Sequence, residues 1–177
     1  MLAALSQLVT NGENAEYEAR KFLAARKSLK RETGDYIRLM LYWYLGRRGK
    51  VDLAKAYLDE GWRGIDKDSW PARLAQGDTQ VWRERLIGYY LGNVTREEFF
   101  APLRSREAFE ASGFNRIGQS YDEIRCEAYF YDALFQAVTG DAATRSARFA
   151  KSIQEVLETH AGNYYEYQMA RYLRSRG

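Results

Sequence analysis

One layout recurs along this chain: an aromatic-rich run with helical spacing, a glycine that stops it, and a second apolar run. It appears in four stretches and is clearest in the third. There, Arg125 to Val138 carries Ala128, Tyr129, Phe130, Tyr131, Ala133, Leu134 and Phe135, Gly140-Asp141 stops it, and Ala142 to Leu157 follows at once. A hairpin of two such helices cannot bury its apolar face alone, whereas stacked hairpins can. The pattern therefore constrains architecture more than chemistry, and it predicts an all-α fold.

Composition agrees. Of 177 residues only Pro71 and Pro102 are proline, which leaves long stretches free of the residue that breaks a helix ladder. Ala, Leu, Glu, Arg and Tyr are abundant and β-branched residues sparse, a balance that favours helix over sheet. The length suits one domain. A net charge of +3 is small, and the arginines are interspersed with acids. The densest basic patches, Arg20 to Arg31 and Arg171 to Arg176, read as solvated helix faces, so nucleic acid is disfavoured as a partner. No apolar run reaches the ~20 residues that cross a bilayer. The first ten residues lack a basic leader, a cleavage site and a cysteine that could carry lipid. The chain as it stands reads as cytoplasmic, or as periplasmic if it is the mature or trimmed form of an exported protein.

Read along its length, the chain divides into N-terminal helices over 1–34, a hairpin over 35–64, a second over 79–103, a third over 120–158 and a C-terminal capping helix over 163–176. Leu2 to Val9 is a short apolar turn, broken by Asn11-Gly12. Asn14 to Glu32 is amphipathic, and Thr33-Gly34-Asp35 is expected to end that helix and cap the next. Tyr36 to Arg48 is apolar all round and so must be central. Thr95-Arg96-Glu97-Glu98, Ser120-Tyr121-Asp122-Glu123 and Asn163-Tyr164-Tyr165-Glu166 have capping-box spacing, and Asp141 is a fourth N-cap candidate. The turn glycines Gly49, Gly92 and Gly140 are 43 and 48 residues apart, so the repeats are degenerate and carry linkers near 63–78 and 104–119.

Aligned on Gly140, the third hairpin resembles a tetratricopeptide repeat: Tyr129 takes the large aromatic position, Ala133 the small one, Phe149 the second-helix aromatic and Ser152 a late small site. Arg145 stands where that family usually has alanine, and Tyr42 of the first hairpin fills a position that is usually small. A closer resemblance is to the C-terminal part of the NlpI-like lipoproteins of the bacterial envelope, over roughly residues 35–174. It rests on Leu41-Tyr42-Trp43-Tyr44 with Gly46, Ala54 and Leu58; on Trp82 with Leu86-Ile87-Gly88-Tyr89-Tyr90-Leu91-Gly92-Asn93-Val94-Thr95; on Glu127-Ala128-Tyr129-Phe130-Tyr131 with Gly140-Asp141; and on Asn163-Tyr164-Tyr165-Glu166-Tyr167 with Ala170 and Leu173. The resemblance implies a short right-handed solenoid acting as an adaptor for proteases or peptidoglycan hydrolases, with a capacity to dimerise. The lipid-attachment cysteine is missing, and the upstream repeats are reduced to residues 1–34.

No catalytic, cofactor or metal site is expected. Cys126 and His160 are the only residues of their types, with no third partner or ligand spacing around them. Glu97-Glu98 and Asp122-Glu123 begin helices, where the macrodipole favours acids. The repeat phase places Tyr36, Leu39, Trp43 and Arg47, then Trp82, Leu86 and Tyr89, then Glu127, Phe130 and Leu134 along a concave face. An aromatic and arginine groove of that kind suits a partner peptide. The expectation is a non-catalytic protein-binding adaptor. The alternative is a homo-oligomeric scaffold, in which Trp62, Trp70 and the C-terminal tyrosines cover a second subunit; an RNA-binding module and a hydrolase are less favoured.

Overall fold

The structure, a computed structural model, describes residues 14–25, 31–141 and 143–176. Among these it holds ten α-helices and no strand. They are α1 (Ala15–Ala24), α2 (Arg31–Gly46), α3 (Val51–Trp62), α4 (Trp70–Ala75), α5 (Gln80–Leu91), α6 (Arg96–Phe100), α7 (Arg106–Ser112), α8 (Tyr121–Thr139), α9 (Arg145–Glu158) and α10 (Tyr165–Arg176). The turn expected at Leu2 to Val9 and the Asn11-Gly12 break lie outside the described residues.

Local chemistry sets the joints. Gly92 ends α5 with φ +80°, a left-handed cap open to glycine, and the Asn93 and Val94 amides donate back to the Gly88 carbonyl at 2.8 and 3.1 Å. Both of the first two capping boxes form. The Thr95 hydroxyl accepts from the Glu98 amide and Glu98 accepts from the Thr95 amide; Ser120 and Glu123 do the same at the head of α8. Glu166, placed by spacing in a third box, is buried. Asp141 accepts from the Thr144 amide at 2.9 Å, one turn ahead of α9.

One boundary needs correction. Thr33-Gly34-Asp35 does not separate two helices; it lies within α2. Asp35 is buried and pairs with Arg38 one turn on, at 3.3 Å, so its carboxylate is satisfied inside the helix rather than at a cap.

The three helix pairs α2–α3, α5–α6 and α8–α9 pack internally, with α3 and α9 each against its own partner. Their first helices, α2, α5 and α8, also touch one another, and α2 touches α8 directly. In an open stack the first and third pairs would stand apart. Here aromatic side chains draw them together. Tyr36 stacks on Tyr131 at 5.8 Å, and the Tyr42 ring bridges Tyr90 on α5 (5.1 Å) and Phe135 on α8 (6.2 Å). At the far end a Cβ on Gly46 would lie 2.4 Å from Val138 Cγ1, so the missing side chain is what allows α2 and α8 to approach. The inner face is filled by this three-helix contact. Each aromatic buried there contributes on the order of 2 kcal/mol by area alone.

Candidate functional site

The core of α8 carries two acids in an otherwise apolar run, Glu127 and Asp132, both buried. A buried carboxylate must be fully bonded to be tolerated, and each organises a cluster.

Glu127 lies at the meeting point of the three pairs. Its Oε2 accepts from the Tyr36 hydroxyl of α2 and from the Trp82 indole N–H of α5, each at 2.8 Å, and its Oε1 accepts from Gln119 at 2.9 Å. Glu166 of α10 adjoins it and accepts from the Tyr131 hydroxyl at 3.4 Å. Burial pushes Glu127 upward, opposed by its donors Trp82, Tyr36 and Gln119 and by the Arg83 charge. With fewer donors, Glu166 is pushed up to about 8, by burial first and by the neighbouring Glu127 second. Both carboxyls are thus pushed toward the protonated form, and Glu127, with three donors, is the better stabilised as a carboxylate.

Asp132 lies at the floor of a cleft of about 380 Å³ lined by Arg96, Tyr129, Asp132, Gln136, Arg148, Lys151, Ser152 and Glu155. Tyr129, Asp132 and Gln136 share one face of α8; Arg148, Lys151, Ser152 and Glu155 share one face of the antiparallel α9. The floor is bonded from every side. Tyr89 donates to Asp132 Oδ1 at 2.6 Å, Ser152 to Oδ2 at 2.8 Å, and Arg96 of α6 to both oxygens at 3.3 and 3.2 Å. Gln136 adds a long bond of 3.4 Å. Burial lowers Arg96, but its bond to Asp132 outweighs that and raises it. Burial, then the Asp132 charge, drives the Tyr89 hydroxyl well above its usual range. The Arg96 guanidinium also lies 4.7 Å over the Phe100 ring, which packs at 5.0 Å on Tyr129 and makes an aromatic wall.

The rim is different. Glu155 pairs with Arg125 at 3.6 Å. Arg148 and Lys151, both exposed, make no side-chain hydrogen bond or ion pair among the described residues; the Arg148 charge is felt at Asp141. The arrangement is a rigid, internally neutralised floor below two uncommitted cations.

The structure places eight of the ten predicted groove residues in the interior: Leu39, Trp43, Trp82, Leu86, Tyr89, Glu127, Phe130 and Leu134 are buried. Tyr36 is half-buried and Arg47 is exposed, its guanidinium 4.9 Å over the Trp43 ring. Tyr36, Trp82 and Glu127 do come together, from three different helix pairs, but as an internal hydrogen-bond node. The reason is the closure of α2 on α8, which turns the face that an open stack would expose into core. Trp62 and Trp70, expected to cover a second subunit, pack edge to face on each other at 6.3 Å, and Trp70 donates to the buried Glu84 at 2.9 Å. Sequence reasoning did not single out Arg96, Asp132, Arg148 or Lys151. The signal was present: an acid inside an apolar helical run announces a buried polar node, and Arg148, Lys151, Ser152 and Glu155 recur at helical spacing opposite it.

Cys126 is buried, and burial raises its thiol to about 12 despite a bond to Thr159. His160 is exposed, with φ 54°. No three His, Cys, Asp or Glu side chains gather as a metal cradle among the described residues, and no described helix is long and apolar enough to cross a membrane.

No family model, no curated protein and no solved structure matches the chain.

Proposed function

We propose that this protein is a non-catalytic adaptor whose paired helices form a rigid platform and hold a segment of a partner protein in the cleft between α6, α8 and α9. The observation that carries this reading is the cleft itself: the floor is tied to three other helices through Asp132, while the rim keeps unspent charge. A surface ordered before binding loses little entropy on docking. The helix pairs are read as degenerate tetratricopeptide-like hairpins closed into a short bundle. The partner class implied by the resemblance to NlpI-like envelope proteins is a protease or peptidoglycan hydrolase.

The test is comparative capture from a bacterial lysate by the immobilised protein and by its R148E/K151E variant, after circular dichroism has shown equal melting temperatures. The adaptor reading expects a defined set of proteins retained by the first and lost by the second. Identical sets on both would reject docking at this cleft, and sizing chromatography showing a stable dimer that occludes α9 would favour the scaffold reading.

A further inference from the structure

The charge balance of the cleft bears on what occupies it. Five ionisable side chains line it besides Tyr129: Arg96, Arg148, Lys151, Asp132 and Glu155. Arg96 is held by Asp132, and Glu155 by Arg125 from outside the cleft. Asp132 offers nothing to an incoming cation, because it is 1% exposed and both of its oxygens already accept. What remains is the pair Arg148 and Lys151, one turn apart on α9 and both exposed; neither forms an ion pair among the described residues, and the Arg148 charge acts on Asp141, which does not line the cleft. The cleft therefore attracts negative charge, and two separated cations suit two carboxylates better than one.

The other walls argue for a peptide over a small anion. Small phosphate and sulfate ions are held best where backbone N–H groups at a helix start or a nest converge on them. Arg148 and Lys151 offer side-chain charge only, and Lys151 lies in the middle of a helix whose amides are spent on its own ladder. The volume, about 380 Å³, is at the lower end of the range for ligand sites and exceeds what one tetrahedral ion fills. Beside the cations stands the half-buried Tyr129 ring, backed by Phe100. This is a place for an apolar side chain next to the acids.

We infer that the cleft binds an acidic peptide segment with two carboxylates flanking an apolar residue: the carboxylates meet Arg148 and Lys151, and the apolar side chain lies against Tyr129. This rests on the adaptor reading and adds the chemistry of the partner's docking segment.

The test is a titration of the ¹⁵N-labelled protein with three probes: the hexapeptide acetyl-Ser-Glu-Phe-Glu-Ser-Gly-amide, the same peptide with Gln for both Glu, and inorganic phosphate. Each is run at low salt and at 0.3 M salt, on the native protein and on R148E/K151E. The expected result is saturable shifts at Tyr129, Lys151 and Ser152 with the acidic peptide alone. Affinity should fall at least about tenfold in the variant, and should weaken at high salt as exposed charge pairs are screened. Equal binding of the Gln peptide, acidic-peptide binding indifferent to R148E/K151E, saturation by phosphate at lower concentration than the peptide, or no shift with any probe would each overturn the inference. The two readings fail separately. Capture lost in R148E/K151E while the acidic peptide does not bind leaves the adaptor standing and removes the acidic segment. Peptide binding without any difference in capture does the reverse.

Discussion

The Tyr89 hydroxyl donates to Asp132 across 2.6 Å and fastens α5 to α8 directly beneath the cleft. The same carboxylate is held by Ser152 from α9 and Arg96 from α6, so four helices meet at one side chain. Removing Asp132 would leave the Tyr89 and Ser152 donors without their acceptor in a dry site. Asp132→Ala should therefore cost about 2–4 kcal/mol in urea unfolding, whereas Tyr89→Phe, which deletes one donor and keeps the ring, should cost about 1 kcal/mol. A loss below about 1 kcal/mol for Asp132→Ala would mean that the four helices are not held together at this carboxylate.

A second consequence concerns pH. The folded Glu166 is raised to about 8 from the usual carboxylate value of 4.5. Between those values the folded chain holds a proton that the unfolded chain has released, so this group lowers stability progressively as pH rises from about 4.5 to 8, and adds no further slope above that. Glu166→Gln should flatten the slope and raise the urea midpoint at pH 8 more than at pH 5, with a gain of about 1–2 kcal/mol at the higher pH. Equal slopes for the two proteins would show that Glu166 is not raised by its burial beside Glu127. The companion change Glu127→Gln should destabilise at high pH, where three donors lose a charged acceptor, and less as pH falls and Glu127 itself takes up a proton.

These clusters also show what the sequence could and could not reveal. The glycine stops at Gly49 and Gly92, the boxes Thr95/Glu98 and Ser120/Glu123, and the apolar run of α2 depend on neighbours within a few residues, and local spacing is enough to read them. What the spacing could not show was that α2 would cross to α8. That contact depends on Tyr42 reaching two helices at once and on the absence of a side chain at Gly46, and a register between segments about ninety residues apart has no local signature. The expected groove followed from an open stack; once α2 closed on α8, Leu39, Trp43, Phe130 and Leu134 became core. The cleft on the other side of α8 was hidden for a related reason: Arg148 and Lys151 resemble any solvated helix face until Asp132 is placed opposite them.

The same closure sorts two of the predicted groove residues by experiment. Trp43 is 3% exposed and Arg47 is exposed. Trp43→Ala should lower stability by about 3–5 kcal/mol as a cavity forms in the core. Arg47→Ala should change it by less than about 1 kcal/mol, since its cation–π contact with Trp43 is at the surface. Thermal melts of the two variants would separate these outcomes, and a Trp43→Ala protein that melts with the native one would place the residue on a free face after all.

The crossing of α2 on α8 has its own test in Gly46 and Val138. A methyl at Gly46 would overlap Val138 Cγ1 at 2.4 Å and Cγ2 at 2.8 Å. Valine is short and stiff at χ1, so it cannot swing away as a long side chain would. Gly46→Ala should therefore cost about 1–3 kcal/mol, even though alanine is the better helix former by about 1 kcal/mol. Val138→Ala alone opens a small void. The double variant restores the volume, so the two changes together should cost less than their sum, with a coupling of at least about 1 kcal/mol in a double-mutant cycle. Strict additivity would mean that the helices do not meet at this pair, and that the absence of a side chain at Gly46 is not what lets α2 close on α8.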